Sequence, residues 1–279
     1  MDQLRSKLMC ISCRSLRAFI LSFRRKYLSR NGSTSLCCRV VAVDVTELSA
    51  DCLCSDLDYA TWSQMTVLNN AFVQANISFS LAGSTFTEHE EWSRTQDPLP
   101  EMGQSLRQGD YATLNIYLIS DSARMEGRKL PGTIGVATPP EAAPDAEQFL
   151  SDGVLAWQGS LPGSRFEQCD MGLTVVHEVG HWLGLDHVFD EWTYPGAISP
   201  GPCSLDDGVA DTPLQYSATV FTLREEGCPM GKDTCPLDPG VDNVSNFMDY
   251  SSDFCMEGFT PGQFAVMRAA YQGFRLSSP

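Results

Sequence analysis

Three features are scarce in this sequence, and each shortage excludes a class of protein. No apolar run approaches the roughly 18 residues of a membrane-spanning helix, which argues against a membrane-spanning protein. The first 40 residues hold nine of the 19 Lys and Arg but only one of the 35 Asp and Glu. The remainder has a net charge of −24, which argues against nucleic acids and anionic membranes as partners. Histidine occurs four times, and three of the four fall between residues 177 and 187.

The first 56 residues lack a recognisable targeting signal. The apolar stretch 16–23 is short and flanked by arginines, and no small-residue cleavage site follows it, which is atypical of a signal peptide. The Arg- and Ser-rich composition is similar to that of a transit peptide, although the acidic remainder does not suit an organelle. We interpret residues 1–56 as a divergent N-terminal or pro-region, or as a wrongly assigned gene start.

The stretch from His177 to His187 carries the strongest chemical signal. It reads His-Glu-Val-Gly-His-Trp-Leu-Gly-Leu-Asp-His. On a helix, His177 and His181 leave the same face one turn apart, which suits two ligand positions of a tetrahedral zinc. Gly184 can adopt a left-handed conformation and end the helix, so the chain can turn and bring His187 back as a third ligand. An open fourth position separates a catalytic zinc site from a structural one.

Glu178 adds an acid–base group to this motif. It lies in the same helical turn, beside the metal rather than pointing at it, so it can take a proton from water at the metal. The alternative is a helix with hydrogen-bonded histidines on a polar face. A chance match to three His, one Glu and one Gly is expected on the order of once in a hundred thousand chains of this length, which favours the metal site.

The extended motif resembles that of the metzincin zinc endopeptidases. Residues 246–250, Asn-Phe-Met-Asp-Tyr, resemble the Met-turn, in which Met248 packs beneath the zinc ligands. Tyr250 matches the tyrosine that some metzincins swing toward the metal to steady the tetrahedral intermediate. The runs 206–213 and 259–263 complete a pattern similar to that of the pappalysin (cytophagalysin) family. Within this family, the sequence resembles the secreted fungal extracellular metalloproteases.

This resemblance covers roughly residues 57–275 and implies an α+β, metzincin-like zincin. Residues 57–187 are expected to form an upper lobe, with a mixed twisted sheet, a backing helix and the active-site helix. Residues 188–279 are expected to form an irregular, disulfide-bearing lower lobe with a C-terminal helix. Together these lobes make the catalytic domain, residues 57–279.

The function that the resemblance implies is that of a secreted, zinc-dependent endopeptidase. It would hydrolyse internal bonds of a protein or peptide bound in extended form, with Glu178 as general base and Tyr250 as donor to the oxyanion. Tyr250 could instead be an aromatic residue of the cleft wall. One alternative for the whole chain is a secreted, catalytically silent binding protein. Another is a latent zymogen that needs N-terminal cleavage.

Eleven cysteines are many for a cytosolic enzyme. Six lie before residue 57, and one of them could block the zinc as a latency switch, as in some metzincin zymogens. Four others, Cys203, Cys228, Cys235 and Cys255, lie in the loop-rich region after the motif and are expected to form disulfides. The residues alone leave three pairings open; the resemblance implies Cys203–Cys235 and Cys228–Cys255. Zinc ligation is the alternative, although no Cys-x-x-Cys pair occurs among them.

Two further sets of polar residues have weaker interpretations. The resemblance implies calcium binding at an oxygen-rich run comprising Asp206, Asp207, Asp211 and Thr212, which could instead be solvated turns. Asp186 and Asp190 flank His187 and either orient the ligands or are solvated acids. Three glycosylation sequons, at residues 31, 76 and 243, are compatible with secretion.

Periodicity predicts the secondary structure of the catalytic domain. Helices are predicted at about residues 58–74, 102–107, 172–184 and 261–274, and strands at 77–81, 114–119, 132–137 and 154–159. In the first helix, Trp62, Met65, Leu68 and Phe72 are expected to be core residues. In the active-site helix, Leu173, Val176, Val179 and Leu183 cover the buried side. The last helix, 261–274, is expected to be capped by Thr260 and Gln263. Its packed residues are expected to be Ala265, Met267 or Val266, Ala270 and Phe274. Strand 153–159 is expected to be the sheet edge that pairs with substrate.

Overall fold

The site is organised by a five-stranded sheet. The computed structural model describes residues 37–47, 59–95, 97–120, 133–164, 166–190, 193–204 and 206–277. Its strands are β1 (Cys37–Glu47), β2 (Ile77–Glu88), β3 (Leu114–Ile119), β4 (Gly135–Ala137) and β5 (Val154–Trp157), in the order β2-β1-β3-β5-β4. β1 is antiparallel to both β2 and β3, β3 is parallel to β5, and β4 is antiparallel to β5. This mixed sheet with separate helices confirms the predicted α+β class.

The helices support this sheet and continue into the C-terminal part of the chain. They are α1 (Tyr59–Phe72), α2 (Pro100–Leu106), α3 (Ala146–Ser151), α4 (Leu173–Trp182) and α5 (Pro261–Ala270), which continues as a π-helix (Tyr271–Arg275). Short 3₁₀ turns occur at Val73–Ala75, Trp92–Arg94, Gln158–Ser160 and Asp253–Cys255. Of the helices, only α3 was not predicted. Within the described residues, no helix has the length and apolar character needed to cross a bilayer.

The sheet buries side chains on both faces. In β3, Ile116 and Leu118 join the large core beneath α1 and α4, while Tyr117 and Ile119 join a smaller core with Met102 of α2. Because successive side chains of a strand point to opposite faces, a strand buried on both faces is mostly apolar, and in β3 the one polar residue is Asn115. β3 and β5 are therefore fixed from both sides, and they hold β4 in place at the end of the sheet.

The structure corrects four of the predictions. β1 was not predicted, and its pairing with β2 and β3 means that the sheet begins before residue 57. β5 is not the edge strand, because β4 pairs on its outer side. Trp62 is 43% exposed and is not a core residue. Ala265 and Phe274 are also exposed, since α5 presents Phe264, Met267 and Ala270 to the core instead. The remaining N-terminal predictions, including the latency cysteine, lie outside the described residues, apart from the backbone of residues 37–47.

The beginning of α5 is joined to the predicted Met-turn. Thr260 and Gln263 form the predicted capping box, in which the Thr260 side chain accepts from Gln263 N and the Gln263 side chain accepts from Thr260 N. Gln263 and Asn246 also exchange two amide hydrogen bonds, of 2.9 and 3.1 Å, and Asn246 Oδ1 accepts from Met248 N. One pair of side-chain amides therefore connects the turn to the helix.

The end of α5 is fixed by a buried arginine. The Arg275 guanidinium lies 2.7 Å from Asp152 Oδ1 and donates to the main-chain oxygens of Trp182 and Thr138, at 3.0 and 3.1 Å. Asp152 also pairs with Arg107 at 3.1 Å. Because removing one partner of a buried pair leaves a charge without compensation, this network is costly to break. It ties the end of α5 to the ends of β4 and α4.

Residues 193–260 are mostly irregular and are held by cross-links and buried polar groups. The structure pairs Cys203 with Cys235 and Cys228 with Cys255. The fully buried Asp249 carboxylate accepts hydrogen bonds from the Gln215 side chain, Thr219 N and the Ser251 hydroxyl. These bonds fix the backbone that follows Met248.

Candidate active site

The active-site helix α4 is defined at both ends by glycines in the left-handed conformation. Gly172 precedes the helix with φ of +82° and Gly184 follows it with φ of +87°. Asp253 supplies the cap at the N-terminus: its Oδ2 accepts from Met171 N at 2.8 Å and Leu173 N at 3.4 Å. The helix therefore occupies the predicted place, and the chain turns at Gly184 to bring His187 back toward it.

The three predicted histidines converge on one point. The Nε2 atoms of His177 and His181 are 3.0 Å apart, and the Nε2 atom of His187 lies 3.1 Å from each of them. A tetrahedral ion with metal–nitrogen distances of about 2.0–2.1 Å holds its ligands about 3.3–3.4 Å apart, so the three nitrogens fit a single small divalent cation. Imidazole donors in this arrangement suit zinc.

Backbone carbonyls orient two of the rings. His177 Nδ1 donates to Phe247 O and His181 Nδ1 donates to Leu185 O, each at 2.7 Å. Because a carbonyl oxygen can only accept, both Nδ1 atoms carry the proton and both Nε2 lone pairs face the metal position. Burial, together with the neighbouring imidazoles, lowers the pKa of His177 well below its ordinary value. For the same reasons the pKa of His187 falls to about 3. Both effects favour neutral rings that can bind a cation.

Met248 is fully buried against the middle of α4, the helix that carries His177 and His181. A Cβ placed on Gly180 would come within 2.6 Å of the Met248 sulfur, so a side chain at residue 180 would displace the methionine. Phe247, the residue before Met248, supplies the carbonyl that orients His177. The turn thus places an apolar side chain and a ring-orienting carbonyl next to the metal position.

The chain matches one peptidase family and several named relatives. Residues 111–272 match the family model of peptidase M43, described as pregnancy-associated plasma protein-A. The chain is 38% identical over 213 residues to an extracellular metalloprotease of Colletotrichum graminicola, covering 76% of this chain and 68% of that protein. It is 37% identical over 214 residues to extracellular metalloprotease 1 of Coccidioides posadasii, with the same coverage. The chain belongs to the peptidase M43, or pappalysin, family.

A solved structure supports the same assignment. Mature mirolysin of Tannerella forsythia, in complex with a cleaved peptide, superposes with a TM-score of 0.54 at 26% identity, over 79% of this chain and 89% of that one. The fold of this pappalysin is therefore metzincin-like, as expected. As a member of the family it is a metalloendopeptidase, and the histidine triad has the geometry of a metal site.

Glu178 lies beside the triad, and one contact to it was not predicted. The side chain is 6% exposed, and burial raises the pKa of its carboxyl to about 8. A Cβ on Gly135 of β4 would come within 2.5 Å of Glu178 Oε1. The edge strand therefore passes directly over the carboxylate, and a side chain at residue 135 would displace it. The sequence signal that could have indicated this is the glycine inside a predicted strand, which often marks a close approach.

The other predicted site residues fall into two groups. Tyr250 lines the same cavity as Glu178 and is 45% exposed, with its ring centroid 4.8 Å from that of His187. On the other side of His187, a second cavity is lined by Asp186, Asp190 and three of the four residues predicted to bind calcium, Asp206, Asp207 and Thr212. The fourth, Asp211, lies elsewhere: its carboxylate accepts from Thr260 Oγ1 and Gly262 N at the start of α5.

Proposed function

We propose that this pappalysin is a zinc-dependent endopeptidase that hydrolyses internal peptide bonds, with Glu178 as general base. The observation that carries the proposal is the convergence of three imidazoles next to a buried carboxylate. Zinc, when bound, supplies a Lewis acid that polarises the scissile carbonyl and makes water more acidic. Proton transfer, oxyanion stabilisation and substrate binding are assigned to the side chains and backbone groups around the zinc position.

Glu178 is the proton carrier. Burial raises the pKa of its carboxyl to about 8, so the group can both accept and release a proton near neutral pH. It accepts a proton as water attacks the carbonyl carbon and delivers it to the departing amine. Gly135 lies over this carboxylate and restricts where its oxygens can lie.

Tyr250 is the proposed donor to the oxyanion. Its ring stands edge-on to those of His187 and Phe189, both at 4.8 Å, which orients the phenol along the cavity wall. A hydroxyl that bonds the oxygen more strongly as its negative charge develops stabilises the transition state. Met248 does not take part in the chemistry; it is the apolar base on which the ligands pack.

The substrate is proposed to bind in extended form along β4. Trp157 N donates to Ile134 O and Thr138 N donates to Gly153 O, while Val136 is paired in register with Leu155. Because hydrogen-bonded positions alternate in antiparallel strands, the N–H and C=O groups of Gly135 and Ala137 point away from β5, toward the cleft. A peptide in the cleft can pair with these groups as an added strand.

We further propose that the chain is secreted and that the second cavity binds calcium. Secretion is supported by the relatives named extracellular metalloproteases and by the two disulfides. At the cavity, Asp207 Oδ2 is buried and accepts no hydrogen bond from any described residue, which leaves an oxygen for a hard cation. Calcium should then raise the unfolding temperature of wild type more than that of Asp207→Asn.

The test of the main proposal is cleavage of casein by Glu178→Gln. We expect about one zinc per chain in both proteins and loss of at least 1,000-fold in turnover for the variant, while Glu147→Gln, an exposed glutamate on α3, behaves as wild type. 1,10-Phenanthroline should remove zinc and activity together. Unchanged turnover in Glu178→Gln, or activity in metal-free protein, would refute the proposal.

The same assay separates the two alternative functions. Wild type that binds zinc but cleaves casein only after N-terminal processing would be a latent zymogen. Zinc-loaded wild type that never cleaves would be a catalytically silent binding protein.

A further inference from the structure

The cleft continues past the catalytic residues into a cavity whose far wall is α5. The whole cavity is about 830 Å³, and Glu178, His181 and His187 line its catalytic end. The other end is lined by Pro140, Val266, Ala269, Ala270, Gly273 and Phe274, and we call this end the α5 pocket. Hydrolysis of the peptide bond does not require the α5 pocket, because Glu178 and the histidines lie at the other end of the cavity.

The walls of the α5 pocket are apolar and lined by small residues. Ala269, Ala270 and Gly273 leave open space where longer side chains would fill it, and Phe274 lies at the rim, 37% exposed. The cation on this helix is directed elsewhere, since Arg268 donates to Ala75 O. A pocket of this kind stabilises a large apolar side chain by removing it from water.

The pocket is held rigidly against the edge strand. α5 packs directly on the end of α4, where a Cβ on Gly184 would lie 3.0 Å from that of Ala270. At its far end, Arg275 bonds to the carbonyl of Thr138, the residue that follows β4. The wall therefore keeps a fixed distance from the strand along which the substrate runs, which makes the pocket preorganised.

The direction of β4 decides which part of a substrate enters the pocket. β4 runs from Gly135, over Glu178, to Ala137 and on toward Pro140 in the pocket wall. A peptide paired antiparallel to it, the more stable arrangement, runs the opposite way. Its residues therefore pass the pocket first and reach Glu178 afterwards, so the pocket faces the amino side of the scissile bond.

We propose that the α5 pocket is a specificity site that binds a large aliphatic or aromatic side chain within the three residues on the amino side of the scissile bond. This inference rests on the proposed function, because it presumes that a peptide is cleaved next to Glu178. It adds a substrate class: proteins with apolar residues just before the bond that is cut.

The test compares two tryptophan substitutions on the same helix. Ala269 and Ala265 are both exposed and lie one turn apart on α5, but only Ala269 lines the pocket. Ala269→Trp should therefore fill the pocket, and Ala265→Trp should not. With peptides varied at each of the three positions before the scissile bond, wild type should prefer Phe, Leu or Tyr over Ala at one position by at least 10-fold in kcat/KM. Ala269→Trp should abolish that preference, measured within the variant as the ratio of kcat/KM for the Phe and Ala peptides. Ala265→Trp should keep the preference.

A binding measurement separates this inference from the catalytic proposal. Two zinc-loaded proteins are titrated with the same peptides: the single variant Glu178→Gln, and the double variant that adds Ala269→Trp. The double variant should bind the Phe peptide more weakly than the single variant does, and the two should bind the Ala peptide equally. If wild type cleaves casein but shows no preference for apolar residues on the amino side of the scissile bond, the α5 pocket is not the site proposed. The same holds if wild type prefers Lys or Arg there, which Asp186 at the rim would bind. If wild type cleaves nothing but binding keeps its dependence on Ala269, the pocket stands and the catalytic proposal fails.

Discussion

Gly135 lies so close to Glu178 that a methyl group on its Cα would come within 2.5 Å of the carboxylate oxygen. The strand that presents backbone groups to a substrate thus also limits the position of the proposed base. A shift of about 1 Å at a reacting group can cost on the order of 100-fold in rate, so this contact can be tested by small changes.

Gly135→Ala should lower kcat by about 10- to 100-fold, because the added methyl displaces the carboxylate. Zinc content should stay at about one per chain, since no histidine is touched. Gly201→Ala is the matched control, because a Cβ there meets no atom within 4 Å, and it should retain wild-type kinetics. Steady-state cleavage of a quenched peptide measures both. Wild-type kcat in Gly135→Ala would mean that the carboxylate tolerates displacement.

Tyr250→Phe should reduce kcat by about 10- to 100-fold with little change in KM, because the hydroxyl acts mainly in the transition state. The ring remains, so packing against His187 and Phe189 is preserved. Tyr194→Phe, at a residue that is 87% exposed, is the control and should be neutral. If Tyr250 only forms the cleft wall, Tyr250→Phe will match wild type in both constants.

Asp253 should make stability depend on pH. Burial raises the pKa of its carboxyl from 3.8 to about 7, and the nearby Asp170 adds to this, while the bonds from Met171 N and Leu173 N oppose it. The folded protein therefore binds a proton more tightly than the unfolded chain. The resulting stability is fully present below about pH 4 and is lost as pH rises through about 7.

Asp253→Asn keeps an acceptor for the α4 cap and cannot ionise. The unfolding free energy of the variant, relative to wild type, should rise by on the order of 2 kcal/mol between pH 5 and pH 8. Urea unfolding of the zinc-loaded proteins across this range measures the difference. Asp97→Asn, at an exposed aspartate, should follow wild type at every pH. Equal pH dependence in Asp253→Asn and wild type would show that Asp253 is ionised throughout.

The two described glycosylation sequons should differ in occupancy after secretion from a eukaryotic cell. Asn76 is exposed, in a left-handed turn before β2, at the opposite edge of the sheet from β4. Asn243 is half-buried, and its amide donates to Pro213 O at 2.8 Å. Glycopeptide mapping should find a glycan at Asn76 and none at Asn243, and Asn76→Gln should remove it without loss of activity. A glycan on Asn243 would contradict the packing described for that loop.

Local signals explain what could be predicted from the sequence. The active-site helix, its glycine ends and the Thr260–Gln263 capping box are encoded within a few residues of one another. Helical periodicity and capping are properties of such short stretches, so they can be seen without knowing the fold. The spacing of the three histidines is of the same kind, because one helix and one turn bring them together.

The errors have equally physical causes. The predicted strand at 132–137 contains β4, but the sequence does not show which strands pair, so the expectation that the strand before the active-site helix forms the edge is wrong. The alternation of Val41, Val43 and Val45 is typical of a strand, but these residues lie in the N-terminal segment that the family resemblance does not cover.

Other features depend on contacts between distant parts of the chain. Gly135 meets Glu178, Asp253 caps a helix that begins 80 residues earlier, and Arg275 bonds to Thr138, 137 residues away. No local pattern encodes such pairs. They become visible only when the fold brings the partners together.

The hydrogen-bonded amides of Asn246 and Gln263 limit how α5 can be exchanged when this protease is engineered. Because the two side chains bond reciprocally, a helix transplanted from a relative to alter cleavage preference will perturb the turn beneath the metal unless residue 246 is exchanged with it. Chimaeras should therefore treat the Met248 turn and α5 as one cassette. A graft of the helix alone, with a mismatched partner at 246, should lose zinc affinity before it gains a new preference.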